Sequence, residues 1–149
     1  MAGYSQTPLA KKLGIQSGAL VVLVSAPQGF AEALEPLPEG VRLSSGDDAP
    51  TPADQDVDVF VLFCRSAGEL SRSLRPAASR LAPAGGLWVA WPKKASGLAT
   101  DLDFAAVQRA GLELGLVDNK VCAVDDVFSS LRFVVRREDR AAWAAGRRV

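Results

Sequence analysis

Histidine is absent from the chain altogether. That removes the commonest general base and metal ligand, and it excludes Ser-His-Asp and Cys-His catalysis. Cysteine is almost as scarce: Cys64 and Cys122 stand far apart with no C-x-x-C spacing, which argues against a zinc site and against a disulfide framework. A reducing cytoplasm is the compartment this usage fits. Charge of either sign is in no excess, because 17 Lys plus Arg balance 17 Asp plus Glu. No global field therefore draws in nucleic acid or an anionic membrane, and neither is expected as a partner. No run reaches the ~20 apolar residues of a membrane span. The N-terminus, Met1 to Pro8, lacks the basic region and apolar core of a signal peptide, so a soluble, unexported protein is expected.

What the chain does contain is enough apolar material for one self-sufficient core. Its 149 residues suit a single domain burying about two thirds of its unfolded surface. Pro8 and Gly14 bracket a short helix over 7–13, capped by Thr7. Ala19 to Val24 is a continuous apolar run of strand length, as expected for a parallel strand covered on both faces. A short helix over 30–34 and a weak strand over 41–44 complete a compressed βαβ unit. Residues 45–56, acidic and Pro-bearing without periodicity, read as a flexible loop. Val57 to Phe63 is a third strand. Leu70, Leu74, Ala77 and Leu81 recur at helical spacing over 67–81, where Pro76 removes an internal hydrogen bond and is expected to kink or split the helix.

The stretch Leu81 to Lys94 is the most telling. A helix end, a Pro/Gly turn, a buried fourth strand over 87–91 and a charged exit follow one another directly, as in an open α/β sheet. Thr100-Asp101-Leu102-Asp103 has the form of a capping box and opens a helix to about Leu114, with Gly115 as its left-handed stop. Gly111 weakens its last turn. Strands over 116–124 and 131–136 lie too close for a crossover helix and must pair as an antiparallel hairpin. Cys122 falls inside the first of them and is expected in the core. Residues 137–149 read as a turn or two of helix and a frayed basic tail. The fold expected is a single three-layer Rossmann-like α/β domain of about six strands, in order 2-1-3-4-6-5, mostly parallel and ending in the hairpin.

From Val57 to Arg136 this succession, with Leu81-Ala82-Pro83-Ala84-Gly85-Gly86 before a strand and Ala110-Gly111-Leu112 before a hairpin, resembles the second half of a class I S-adenosylmethionine-dependent methyltransferase. The whole chain also resembles a family of small bacterial proteins known only as a domain of unknown function, through Thr7-Pro8-Leu9-Ala10-Lys11-Lys12-Leu13-Gly14, Trp91-Pro92-Lys93-Lys94-Ala95-Ser96-Gly97 and Val117-Asp118-Asn119-Lys120-Val121-Cys122-Ala123-Val124-Asp125. The methyltransferase resemblance implies a G-x-G-x-G loop after the first strand and an acid ending the second. Here Ser25-Ala26-Pro27-Gln28-Gly29 holds one glycine and a donor-less proline. Asp47 and Asp48 lie beyond the second strand, and one strand and helix of the usual sheet are missing.

In open α/β sheets ligands sit beyond the carboxyl ends of the strands. Ser25 and Gln28 from the first strand, Arg65 from the third, and Trp91, Lys93, Lys94 and Ser96 from the fourth would meet there. Three cations with hydroxyl and amide groups suit a phosphate or carboxylate, while solvation for the lysines and packing for Trp91 are the plainer alternatives. Asp125-Asp126 suits a solvated hairpin tip. Cys64, beside Arg65, is read as a buried structural thiol rather than a nucleophile. The reading favoured by the residues is a non-catalytic module, without a cofactor, that engages an anionic small molecule or a protein partner at this edge. The alternatives are an S-adenosylmethionine-dependent methyltransferase with an atypical cofactor loop and a structural homodimer.

Overall fold

The apolar run after Gly18 forms the interior strand β1 (Leu20–Val24), one in from an edge of the sheet. The computed structural model describes residues 7–45 and 55–149; the loop expected over 45–56 falls mainly outside them. Parallel to β1 lie β2 (Arg42–Ser45) on one side and β3 (Val57–Phe63) on the other. Next come β4 (Leu81–Pro92), parallel to β3, and β6 (Phe128–Val135), antiparallel to β4. The edge strand β5 (Leu116–Ala123) pairs antiparallel with β6. The order β2-β1-β3-β4-β6-β5 is the one the sequence implied.

Side chains alternate across a strand, so the sheet divides the core into two layers. Leu20, Val22, Phe60, Leu62, Leu87 and Val89 face α3 (Ala67–Ser79), α4 (Phe104–Glu113) and α5 (Arg140–Ala144). Val21, Leu23, Val59, Val61, Trp88 and Ala90 face α1 (Leu9–Lys12) and α2 (Phe30–Ala33). The Trp88 indole donates to the Leu13 carbonyl at 3.0 Å, which anchors the end of α1.

Several local expectations are corrected. Helix α1 opens at Leu9 with Pro8 as its N-cap, one residue later than the sequence suggests. Strand β4 begins at Leu81 rather than Leu87: Leu81 pairs with Val57, and the ladder resumes at Gly86 opposite Val59. The small residues between them are absorbed in a bulge, because a proline donates no ladder hydrogen bond. Pro76 lies inside an unbroken α3. Leu70, Leu74, Ala77 and Ala78 are buried on both sides of it, and such packing outweighs one lost bond. The N-cap of α4 is Asp103, whose carboxylate accepts from the Ala106 amide at 2.8 Å; Thr100 instead accepts from the Leu102 amide. Cys122 is half-buried rather than a core residue.

The C-terminus is held rather than frayed. Trp143 of α5 is buried and donates to the Leu81 carbonyl at 2.8 Å. Arg148 pairs with Asp56 at 2.8 Å, donates to the Ser79 and Leu81 carbonyls, and lies over the Trp143 ring. A single guanidinium thus joins the C-terminus, the end of α3 and the entry to β3. The two cysteines are free, as the two strands between β3 and β5 require.

Candidate functional site

β2 and β3 lie on opposite sides of β1, so the chain's direction of growth reverses between β1 and β3. The carboxyl ends of strands at such a switch point leave a crevice where ligands bind.

The exit from β1 is a sharp turn. Ser25 has φ 57°, a left-handed conformation that a residue with a Cβ adopts only where its surroundings enforce it. Gly29, the N-cap of α2, has φ 89°, and the position its missing Cβ would occupy is open. Backbone there is accessible from outside. Gln28 is exposed beside it.

Arg65 follows the buried end of β3. Its guanidinium donates to the Ser25 carbonyl at 3.2 Å and stands 5.3 Å from the centroid of the Phe128 ring. Phe128 in turn packs edge-on against Phe63. The Arg65 backbone is also fixed: its amide donates to the Glu69 carboxylate, and its carbonyl accepts from the Thr100 hydroxyl at 2.8 Å. Glu69 works from the first turn of α3, where Ser66 is the N-cap and accepts from the Glu69 amide at 3.1 Å. Among the described residues no carboxylate pairs with the Arg65 guanidinium. A charge so placed, with a preorganised fork of donors, is suited to a planar carboxylate.

The neighbouring thiol is closed to chemistry near neutral pH. Burial of Cys64, reinforced by Glu69 and opposed by Arg65, pushes its pKa up to about 12. Ser44 and Ser45 end β2 on the other side of β1, supplying hydroxyls where the resemblance implies an acid.

From β4 the edge receives Lys93, whose amide donates to the Val127 carbonyl at the tip of the β5–β6 hairpin. Arg65 and Lys93 therefore flank the same hairpin tip, one through the Phe128 ring and the other through the backbone. Asp125 accepts from the amides of Val127 and Phe128, so its carboxylate shapes that tip. Lys94 is exposed. Ser96 is engaged within its own 3₁₀ turn, donating to the Lys93 carbonyl at 2.6 Å and accepting from the Leu98 amide. Trp91, 6% exposed, belongs to the layer beneath α4, where its ring meets Phe104 edge-on. Sequence reasoning missed Phe128, Glu69 and Thr100. The Ser66-x-x-Glu69 spacing is a capping signal that points to Glu69; nothing local marks Phe128, because its partner lies on another strand. No group of three metal-ligating side chains occurs among the described residues.

No protein-family model matches the chain, and no curated protein matches its sequence. Its fold is nevertheless shared with solved methyltransferases. A precorrin-6y C5,15-methyltransferase from Geobacter metallireducens is 14% identical with a TM-score of 0.56, the match covering 85% of each chain. A DhpI–SAH complex is 12% identical with a TM-score of 0.58, covering 87% of this chain and 83% of that one. A SAM-dependent methyltransferase from Aquifex aeolicus is 12% identical with a TM-score of 0.52, covering 84% of this chain and 86% of the other. At such identities the likeness is one of fold. The expectation of no cofactor is corrected by these matches, since this is an architecture that other chains use with SAM and SAH.

Proposed function

We propose that the chain binds S-adenosylmethionine in the crevice between β1 and β3 and acts as a methyltransferase with an atypical cofactor loop. The observation that carries this reading is Arg65, a cation without a carboxylate partner among the described residues, held on the Ser25 carbonyl at the switch point of a fold shared with SAM-dependent methyltransferases. The residues fit such a ligand at three points. The Arg65 guanidinium suits its carboxylate, Ser45 at the carboxyl end of β2 offers a hydroxyl for the ribose, and the left-handed turn at Gly29, where a Cβ would meet open space, lets the backbone approach closely. Two of these contacts replace what a glycine-rich loop and a terminal acid do elsewhere.

When bound, S-adenosylmethionine supplies an electrophilic methyl group on a sulfonium centre. The chain's own part is to bind and orient. Without histidine, and with Cys64 protonated throughout the neutral range, the crevice favours an acceptor that is already nucleophilic and gains from proximity rather than from proton removal. The alternative of a non-catalytic anion module at the same edge draws less support, because the Trp91 face and the Ser96 hydroxyl are engaged within the fold.

The test is isothermal titration of the full chain with S-adenosylmethionine and S-adenosylhomocysteine. Saturable binding of both is expected, weakened about tenfold or more in Arg65→Gln through loss of one charge-assisted contact. No heat at millimolar ligand, or equal affinities for the two proteins, would defeat the proposal.

A further inference from the structure

The opposite, amino end of the sheet carries a cavity of about 310 Å³. Its charged lining comes from Arg132 on β6 and Asp58 on β3, and its rim from Gln16 and Ser17 in the turn that enters β1. Arg132 pairs across the ladder with Trp88, and its guanidinium extends over Gly86 of β4, where any Cβ would collide with it. Gly86 thus lets a half-buried cation lie against the sheet and reach the cavity. That cation has little to neutralise it. Among the described residues it makes one hydrogen bond, a long one of 3.4 Å to the Asn119 side chain, and no ion pair. A second cation acts on it with the same sign: burial and the Arg140 guanidinium together lower the Arg132 pKa. The Arg140 Nε is itself buried without a hydrogen-bond partner.

Two cations that repel each other, one of them half-buried, are costly unless an anion offsets them. Asp58 does not fill that role, because it lies beyond ion-pair distance of Arg132. Its Oδ2 accepts from the Leu20 amide at 2.9 Å, whereas its other oxygen has no partner among the described residues. The cavity therefore presents a forked donor on one wall and an acceptor on another.

We propose that this cavity is a second ligand site, taking a small molecule whose carboxylate or phosphate group pairs with Arg132 and whose hydroxyl or ammonium group donates to Asp58. Hydroxy acids, amino acids and phosphorylated polyols share that chemistry. The site lies at the end of the sheet away from the Arg65 crevice and stands independently of it.

Titration of the full chain with glycerol 3-phosphate, glycerate and inorganic phosphate separates the sources. Saturable binding of at least one of the two bifunctional anions is expected, with inorganic phosphate about tenfold weaker because it cannot span to Asp58. Arg132→Gln should weaken binding about tenfold or more, and Asp58→Asn by a smaller factor, while Arg65→Gln leaves it unchanged. Relief of repulsion and of buried charge should leave the melting temperature of Arg132→Gln equal to or above that of the parent, so lost binding is separable from lost folding. Failure of both bifunctional anions to saturate at millimolar concentration overturns the site. So does an Arg132→Gln variant that binds as well as the parent. Inorganic phosphate binding as tightly as the bifunctional anions overturns the part assigned to Asp58.

Discussion

Replacing Gly111 with alanine sets two effects of comparable size against each other, and the packing decides the sign. Gly111 lies in the last turn of α4, among the buried positions of that helix. In an exposed helix Gly→Ala stabilises by about 1 kcal/mol. Here a Cβ built on Gly111 falls within the ring of Phe133, which is fully buried on β6. Inserting a methyl group into a filled core costs ~1–3 kcal/mol. An overlap with the body of an aromatic ring, rather than with a flexible side-chain end, belongs at the upper limit. The expected balance is a net destabilisation of about 1–2 kcal/mol, read as a lower urea midpoint followed by tryptophan fluorescence. A double-mutant cycle with Phe133→Leu isolates the cause. Alone, Phe133→Leu loses stability through the space it leaves, but in the Gly111→Ala background leucine makes room for the new methyl. The combined loss should therefore fall short of the sum by about 1 kcal/mol or more. A Gly111→Ala protein as stable as the parent, or two losses that simply add, would refute the close approach of α4 to β6.

Arg148→Met should destabilise by ~1–3 kcal/mol by removing charge-assisted bonds to the Ser79 and Leu81 carbonyls. Asp56→Asn should cost under ~1 kcal/mol, since that carboxylate side chain is 42% exposed; equal losses in urea titrations would show that the ion pair, not the carbonyl contacts, holds the C-terminus. Cys64 gives a pH dependence. Its thiol stays protonated in the fold up to about 12, whereas the unfolded chain releases that proton near the ordinary thiol value of 9.0. Stability is therefore unaffected below pH 9 and falls as pH rises from 9 towards 12, by up to ~1.4 kcal/mol per unit. The difference in slope between the parent and Cys64→Ala measures it, and identical slopes would contradict the burial argument. A thiol reagent at pH 8 should label half-buried Cys122 before Cys64; the reverse order would place Cys64 at the surface.

Strand identity and order were legible in the sequence wherever an apolar run was long and its exit charged. Leu20–Val24 and Val57–Phe63 are buried on both faces and read as strands without reference to anything distant. The hairpin was legible because Asp125 to Ser130 leaves no room for a crossover. The start of β4 was not: Pro83, Gly85 and Gly86 carry turn signals locally, and only the register against β3 makes them part of a strand. Pro76 misled for the same reason, since the loss of a hydrogen bond is local while the packing that outweighs it comes from the sheet.

For the candidate site, the sequence by itself determined which residues reach the carboxyl edge, because strand order and strand ends follow from hydrophobic pattern and connection length. It also excluded histidine chemistry outright. The tertiary structure decided what those residues do there. It buried Trp91 against Phe104, engaged Ser96 in its own turn, and set Arg65 between the Ser25 carbonyl and the Phe128 ring. It also brought Arg132 and Asp58 to one cavity from strands with β4 between them. Hydrophobic pattern is a property of neighbours along the chain, and so it can be read from sequence. The pairing of a charge is a property of neighbours in space, so it appears only once the strands are assembled.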